Sequence, residues 1–124
     1  MKTGDRHIRV WLWLLACVLV FIWGNSLLPG EDPPSGAGGG LLRKAAHFTE
    51  FTVLGLVLCR LSGLLKKKIY VPILLGVAAA CIDETIQMFV PGRGPALRDV
   101  LIDSCGVLSG VFLLRLGYAV CKKK

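Results

Sequence analysis

Four apolar segments, each near the length that crosses a bilayer, constrain this chain more than any other feature of its 124 residues. They cover residues 10–28, 46–65, 69–89 and 99–120, and about 20 predominantly apolar residues suffice for one membrane-spanning helix. Because backbone groups in lipid must bond within their own segment, these windows predict helices. The sequence therefore predicts an all-α integral membrane bundle of four transmembrane helices, forming a single domain over residues 1–124.

Lysine and arginine residues at the ends of these segments predict the orientation, because short basic loops remain in the cytoplasm. The nine on one side are Lys2, Arg6, Arg9, the run 66–68 and the run 122–124; the four on the other are Arg43, Lys44, Arg93 and Arg98. We therefore predict a multi-pass plasma-membrane protein with both termini in the cytoplasm. The net charge of +7 follows from this asymmetry, so membrane lipids rather than nucleic acid are the expected partners.

Acidic residues show the opposite distribution. Apart from Asp5, every Asp and Glu falls outside the membrane or in the outer half of a predicted helix. The second helix opens with "LLRKAAHFTEF", the third closes with "DETIQ", and the fourth opens with "RDVLIDSCGVLSG". Ionisable groups at membrane depth are costly, and they commonly mark functional sites. These segments therefore predict a polar pocket that opens to the outer surface.

Helical spacing identifies the side chains of this pocket. Lys44, His47 and Glu50 recur every three residues and therefore share one helix face. Glu50, Glu84 and Asp103 are expected to converge, with His47 and Gln87 within hydrogen-bonding reach. The full set of predicted binding residues is Lys44, His47, Glu50, Asp83, Glu84, Gln87, Arg93, Asp99 and Asp103.

Two further features shape the predicted pocket. Gly106 and Gly110 lie one helical turn apart, which favours close packing of the fourth helix on a neighbour. The segment "FVPGRGP" contains two prolines and two glycines, a composition typical of a tight turn. This turn would form a lid with Arg93 at its centre, and the planar guanidinium suits either a pocket carboxylate or an anionic ligand such as phosphate.

The polar cluster has several possible interpretations. It can be an interhelical ion-pair network that fixes the bundle, or it can be functional. His47 and Glu84 are the candidate catalytic residues, since a histidine with a reference pKa of about 6.5 transfers protons near neutral pH. Histidine, aspartate and glutamate also bind metals, but the spacing matches no established ligand pattern, so no metal and no other cofactor is predicted. Without a visible nucleophile triad or nucleotide loop, binding ranks above catalysis.

Four segments resemble the VanZ-like family of small bacterial multi-pass membrane proteins: "NSLLPG", "RKAAHFTEF", "DETIQMFVPGRGP" and "RDVLIDSCGVLSG". They lie between Trp23 and Gly110, most of the chain. The family pattern falls on Ser26, Lys44, His47, Glu50, Glu84, Gln87, Arg93, Asp99, Asp103 and Gly106. The resemblance implies a role in the cell envelope, because the family takes its name from a member associated with teicoplanin resistance.

Two functions from different classes follow as expectations. The first is an envelope protein whose outward pocket binds a cell-wall precursor, a lipid headgroup or a lipoglycopeptide, and which lowers susceptibility to glycopeptides such as teicoplanin. The alternative is a membrane enzyme that uses an acid/base pocket on a lipid-linked substrate.

Overall fold

A computed structural model of the protein describes residues 2–29, 37–94 and 96–124. Within these residues it contains four helices and no strand, which confirms the all-α prediction. The helices are α1 (Thr3–Ser26), α2 (Ala37–Leu64), α3 (Tyr70–Met88) and α4 (Leu97–Lys122). Both α1 and α2 begin well before the predicted apolar windows, because an apolar window marks only the part of a helix that lipid can cover.

Three of these helices, α1, α3 and α4, are long and apolar enough to cross a membrane. Large apolar side chains cover their outer faces, with Trp13 74% exposed and Phe112 64% exposed. In water such surfaces would be costly, whereas acyl chains cover them without penalty. The longest helix, α2, is not among the three; Glu50 and Arg60 interrupt its apolar stretch. Length and composition therefore support membrane crossing for three of the four predicted spans.

Local sequence signals explain where α2 ends and α3 begins. Lys66 follows α2 in the left-handed conformation, with φ of 54°, and the Lys67 amide donates to the carbonyl of Ser62 at 2.8 Å. This pattern satisfies carbonyls that the end of a helix leaves unpaired. Pro72 lies in the first turn of α3, where its missing N–H would have had no helical partner.

Helix α2 occupies the centre of the bundle, contacting each of the other three helices and packing most extensively on α4. Glycines allow this closeness, as the spacing of Gly106 and Gly110 predicts. A Cβ at Gly106 would lie 2.7 Å from the carbonyl oxygen of Phe48, and one at Gly110 would lie 2.8 Å from the amide nitrogen of Leu56. The backbones of α2 and α4 therefore touch directly, and this fixes the depth of one helix against the other.

The apolar core and the polar cluster lie at different depths. The core consists of Ile22, Phe51, Leu54, Leu58, Ala79, Ala80 and Val107. Toward the Lys66 end of the bundle, the guanidinium of Arg60 stacks over the rings of Trp11 at 5.9 Å and Tyr118 at 5.7 Å. These cation–π contacts join α1, α2 and α4.

Candidate functional site

Buried polar side chains gather where the C-terminal ends of α1 and α3 meet the N-terminal halves of α2 and α4. The buried members are Ser26, Asp83, Glu84, Gln87 and Asp103, and His47 and Glu50 are half-buried beside them. Each buried polar group needs a partner, because an unpaired one costs about 1–3 kcal/mol. The hydrogen bonds of this cluster therefore show which groups are structural and which remain free to bind something else.

Asp83 is the hub of the cluster. Its side chain is fully buried and accepts hydrogen bonds on both oxygens. The Ser26 hydroxyl donates to Oδ1, and the Gln87 amide donates to Oδ2 at 2.7 Å. Gln87 lies one turn after Asp83 on α3, so the amide reaches the carboxylate within the same helix. Asp83 thereby joins the end of α1 to the end of α3 through two buried hydrogen bonds.

His47 faces two carboxylates without bonding either. Its Nδ1 lies 3.8 Å from Oδ2 of Asp83 and 3.8 Å from Oε2 of Glu50, beyond the range of a hydrogen bond. Among the described residues this buried nitrogen has no hydrogen-bond partner. The other Glu50 oxygen accepts a bond from the Asn25 amide at 2.7 Å. The imidazole is therefore placed to exchange a proton or to bind an ion between the carboxylates.

Asp103 completes this group from α4. Its side chain is buried, 2% exposed, and its Oδ1 has no hydrogen-bond partner among the described residues. One ligand atom each from His47, Asp83 and Asp103 lie within 4.8 Å of one another. The three helices therefore converge on these residues, and the described contacts leave an acceptor of Asp103 unsatisfied.

Glu84 has a hydrogen-bond partner that the sequence did not predict. The expected trio was Glu50, Glu84 and Asp103, but Asp83 is the residue of α3 that meets His47 and Asp103. The Glu84 carboxylate instead accepts a hydrogen bond from the backbone amide of Ala96. Adjacent residues on a helix point about 100° apart, so only one of the two can face the centre. Glu84 therefore holds the α3–α4 loop through one oxygen, while its buried Oε2 has no hydrogen-bond partner among the described residues.

Arg93 also makes contacts that the sequence did not predict. Pro91 and Gly92 form a type II turn, with Gly92 at φ of 76° and the Arg93 amide donating to the carbonyl of Val90 at 3.2 Å. The turn directs the guanidinium onto the end of α1, where it donates to the carbonyls of Ser26 at 3.1 Å and Asn25 at 3.4 Å. Both carbonyls lie in the last turn of α1, which lacks the usual helical donors four residues on, and that of Asn25 also accepts from the Leu28 amide at 3.2 Å. The described residues offer Arg93 no ion pair.

Positive charge nevertheless accumulates beside Arg93. Burial lowers the pKa of Arg93 from its ordinary value, the neighbouring Arg43 lowers it further, and Asp83 and Glu84 oppose the shift. No described carboxylate forms an ion pair with either arginine, and the buried Nε of Arg93 has no described partner. An anion placed between the two guanidinium groups would relieve their repulsion.

Two adjoining cavities open at this end of the bundle. The first, called the polar cavity, measures about 220 Å³ and is lined by Gly40, Arg43, Lys44, His47, Gln87, Gly92, Arg93, Gly94, Asp99, Ile102 and Asp103. The second, called the side groove, measures about 460 Å³ and is lined by Asn25, Leu28, Pro29, Gly40, Leu42, Arg43, Ala46, His47, Glu50 and Arg93. The two share Gly40, Arg43, His47 and Arg93, so a charged compartment continues into one with several apolar walls.

The binding residues predicted from the sequence differ in which of the two cavities they line. Those lining the polar cavity are Lys44, His47, Gln87, Arg93, Asp99 and Asp103, whereas Glu50 lines the side groove. Asp83 contacts the cluster from a fully buried position, and Glu84 lines neither cavity. The predicted binding set omitted Asn25 and Arg43. The signal for Asn25 was a polar residue closing an apolar helix, and the signal for Arg43 was its place beside Lys44 at the outer boundary.

Comparison with known proteins gives one match. The family model described as VanZ/LLP1 matches residues 10–118, a range that contains every described residue of the two cavities. No curated protein and no solved structure was found to match the chain.

Proposed function

The chain belongs to the VanZ/LLP1 family, and from that premise we propose that it is an envelope protein whose polar cavity binds the phosphate headgroup of an amphiphile. The observation that carries this proposal is that Arg43 and Arg93 both line the polar cavity, near enough for Arg43 to lower the pKa of Arg93, and that neither has a described ion-pair partner. Lys44 adds a third positive charge to the same lining. Phosphate suits such a site because arginine donates to two of its oxygens at once.

The side groove favours an amphiphile over a free anion. Leu28, Pro29 and Leu42 line it, and Leu28 and Leu42 are exposed to the surrounding medium. A lipid placed with its phosphate between the arginines would lay its first methylene groups along these side chains, each buried CH₂ contributing about 0.8 kcal/mol. Lipid headgroups and lipid-linked cell-wall precursors both have this chemistry, whereas a lipoglycopeptide shares only the acyl chain that would occupy the side groove.

The orientation is part of the same proposal. Four spans with both termini in the cytoplasm place the cavities at the outer face of the plasma membrane. The support is the split of nine basic residues against four between the two ends of the bundle and the lipid-compatible surfaces of α1, α3 and α4. The α3–α4 loop would then be external and the α2–α3 loop internal.

Cysteine accessibility tests this orientation. In a variant whose native cysteines are replaced by alanine, Gly94→Cys should react with an impermeant maleimide in intact cells, and Lys67→Cys should react only after permeabilisation. Both positions are exposed, and nothing lies within 4 Å of the Cβ that the substitution adds at Gly94. The reverse labelling pattern would place the cavities at the cytoplasmic face and overturn the proposed site of action.

Headgroup binding is tested with Arg43→Gln. We expect the Kd of the detergent-purified protein for phosphatidylglycerol, measured by native mass spectrometry, to rise about tenfold, because one charge-assisted hydrogen bond is lost. Arg98→Gln is the matched control, since Arg98 is an exposed basic residue at the same end of the bundle that lines neither cavity. Its Kd should stay within about twofold of the parent value.

Two comparisons sharpen this experiment. Phosphatidylglycerol and a polyprenyl phosphate should compete for the site, whereas inorganic phosphate should compete weakly because it leaves the side groove empty. Equal losses in Arg43→Gln and Arg98→Gln would indicate general surface charge and would remove the site. Extraction of the bound lipid separates the two function classes: an unchanged lipid supports binding, and a converted one supports the enzyme alternative, in which His47 beside Asp83 supplies the proton transfer.

Lowered susceptibility to teicoplanin is the proposed cellular effect. A protein that binds a lipid or a precursor at the outer face changes the set of lipids and precursors to which a membrane-anchored glycopeptide can bind. The same pair of variants tests it, because a resistance phenotype that depends on the cavity is lost in Arg43→Gln and kept in Arg98→Gln.

A further inference from the structure

We propose that His47, Asp83 and Asp103 bind a divalent cation at the inner end of the polar cavity. This inference goes beyond the headgroup site and does not depend on it, because it concerns different side chains. The three residues come from α2, α3 and α4, so the site exists only in the assembled bundle.

The geometry fits one ion. Ligand atoms of the three residues all lie within 4.8 Å of one another, and Nδ1 of His47 lies 3.8 Å from Oδ2 of Asp83. Two ligands that each bind a transition metal at about 2.0–2.3 Å are up to about 4.5 Å apart when they lie on opposite sides of it. A cation between the three side chains therefore needs only small movements of them.

An independent observation points to an absent positive charge. Asp103 is 2% exposed, yet its Oδ1 has no hydrogen-bond partner among the described residues. The facing Nδ1 of His47 is likewise without one. An unpaired buried carboxylate is costly, and an ion pair, a coordinated metal or a bound proton each removes that cost. Arg93, the nearby arginine, donates to backbone carbonyls instead, so the described contacts leave Asp103 uncompensated.

Asp83 has the hydrogen-bonded surroundings typical of a carboxylate that coordinates a metal ion. Ser26 and Gln87 each donate to its carboxylate, which fixes the orientation of the group while leaving lone pairs on both oxygens. Hydrogen bonds of this kind to metal-binding carboxylates are common, and their loss lowers metal affinity by about 10–100-fold. His47 and Asp103 also line the polar cavity, so further coordination positions would open to water or to a phosphate oxygen.

One imidazole nitrogen and two carboxylates select the kind of ion. Mixed nitrogen and oxygen ligands suit Zn²⁺ and Mn²⁺, whereas Ca²⁺ takes about 6–8 oxygens. Three protein ligands with open positions toward a cavity also resemble the arrangement of zinc sites that act on a substrate. We therefore assign the site to Zn²⁺ or Mn²⁺ and expect Ca²⁺ to bind weakly.

The test is direct metal binding by the full-length protein in detergent after EDTA treatment. Isothermal titration with ZnCl₂ and with MnCl₂ should give one equivalent for at least one of the two ions. Asp103→Asn should raise the Kd at least tenfold, because it keeps the shape of the side chain and removes the charge. Asp99→Asn is the matched control, since Asp99 lines the same cavity without belonging to the trio, and its Kd should stay within about threefold of the parent value.

Thermal unfolding adds a readout that a purely structural role would not move. The metal should raise the Tm of the parent protein and leave that of Asp103→Asn unchanged. If Asp103→Asn does not fold, His47→Gln serves as the second variant, since His47 is only half-buried. Absence of a stoichiometric site, or equal affinity losses in Asp103→Asn and Asp99→Asn, would overturn the cation site.

The outcome is separable from the headgroup proposal. Arg43→Gln should not weaken cation binding in lipid-free detergent, because Arg43 is outside the trio and its positive charge repels a cation rather than binding it. Lipid binding that persists after EDTA treatment, with no stoichiometric cation, would overturn the cation site alone. Cation binding without lipid binding would overturn the headgroup site alone.

Discussion

Gly110→Ala should lower the free energy of unfolding by about 3 kcal/mol, the upper part of the range for overpacked cores. The added methyl group would collide with the carbonyl oxygen of Thr52 and lie 2.8 Å from the amide nitrogen of Leu56. Both atoms belong to the backbone of α2, so no side chain can rotate away. The helices must separate instead, which removes part of the most extensive contact in the bundle. Unfolding in SDS, followed by circular dichroism, measures the loss.

Gly117→Ala is the control for this experiment. Gly117 lies on the same helix, and nothing is found within 4 Å of the Cβ that the substitution would add there. The free energy of unfolding should stay the same or rise slightly, since alanine is the better helix former by about 1 kcal/mol. Equal stability of the two variants would show that α2 and α4 are not in backbone contact.

Asp83→Ala should destabilise the protein by about 2 kcal/mol or more in metal-free buffer, because each buried donor left unpaired costs about 1–3 kcal/mol. The substitution removes the described acceptor of one donor and leaves the other only a 3.4 Å contact, from the Gln87 amide to the Ser26 hydroxyl oxygen. The donors are the Ser26 hydroxyl and the Gln87 amide, and both residues are buried. Asp99→Ala, which removes a half-buried carboxylate with no described hydrogen bond, should change the stability by less than about 1 kcal/mol.

A double-mutant cycle isolates the link between the helices. Ser26→Ala and Asp83→Ala should be coupled by about 0.5–3 kcal/mol, the range for residues in direct contact. A rise in stability on removing Asp83 would contradict the argument, because it would mean that repulsion between the carboxylates of Asp83 and Asp103 outweighs both hydrogen bonds.

The sequence predicted the helices and the close approach of α4 because both depend on local patterns. Apolar windows mark the helices, and the spacing of Gly106 and Gly110 marks the face that meets a neighbour. The contribution of α2 to this contact was harder to predict. It comes from Gly55, whose added Cβ would lie 3.0 Å from the carbonyl carbon of Val107. Gly55 is a single glycine that belongs to no repeated spacing. A single small residue does not indicate which face of its helix packs on a neighbour until the position of that neighbour is known.

The site was predicted in composition but not in arrangement. Asp83 and Glu84 are adjacent, and both sides of the end of α3 are covered, one by α1 and the other by the α3–α4 loop. Polarity alone therefore does not decide which of the two faces the centre. Arg93 is a similar case, because its partners are backbone carbonyls 67 and 68 positions earlier in the chain. Because every residue has a backbone carbonyl, a sequence motif cannot indicate which carbonyls accept hydrogen bonds from Arg93.

The bond between Ser26 and Asp83 has a consequence for the order of assembly in the cell. The two residues are 57 positions apart, so α1 and α2 emerge from the ribosome before the acceptor for Ser26 exists. Until then the described polar link between α1 and α2 is the bond from Asn25 to Glu50. Because Ser26 lies at the predicted membrane boundary, water can accept the hydrogen bond of its hydroxyl until α3 has been synthesised. The first two helices can therefore insert as a loosely joined pair that is locked only when α3 arrives.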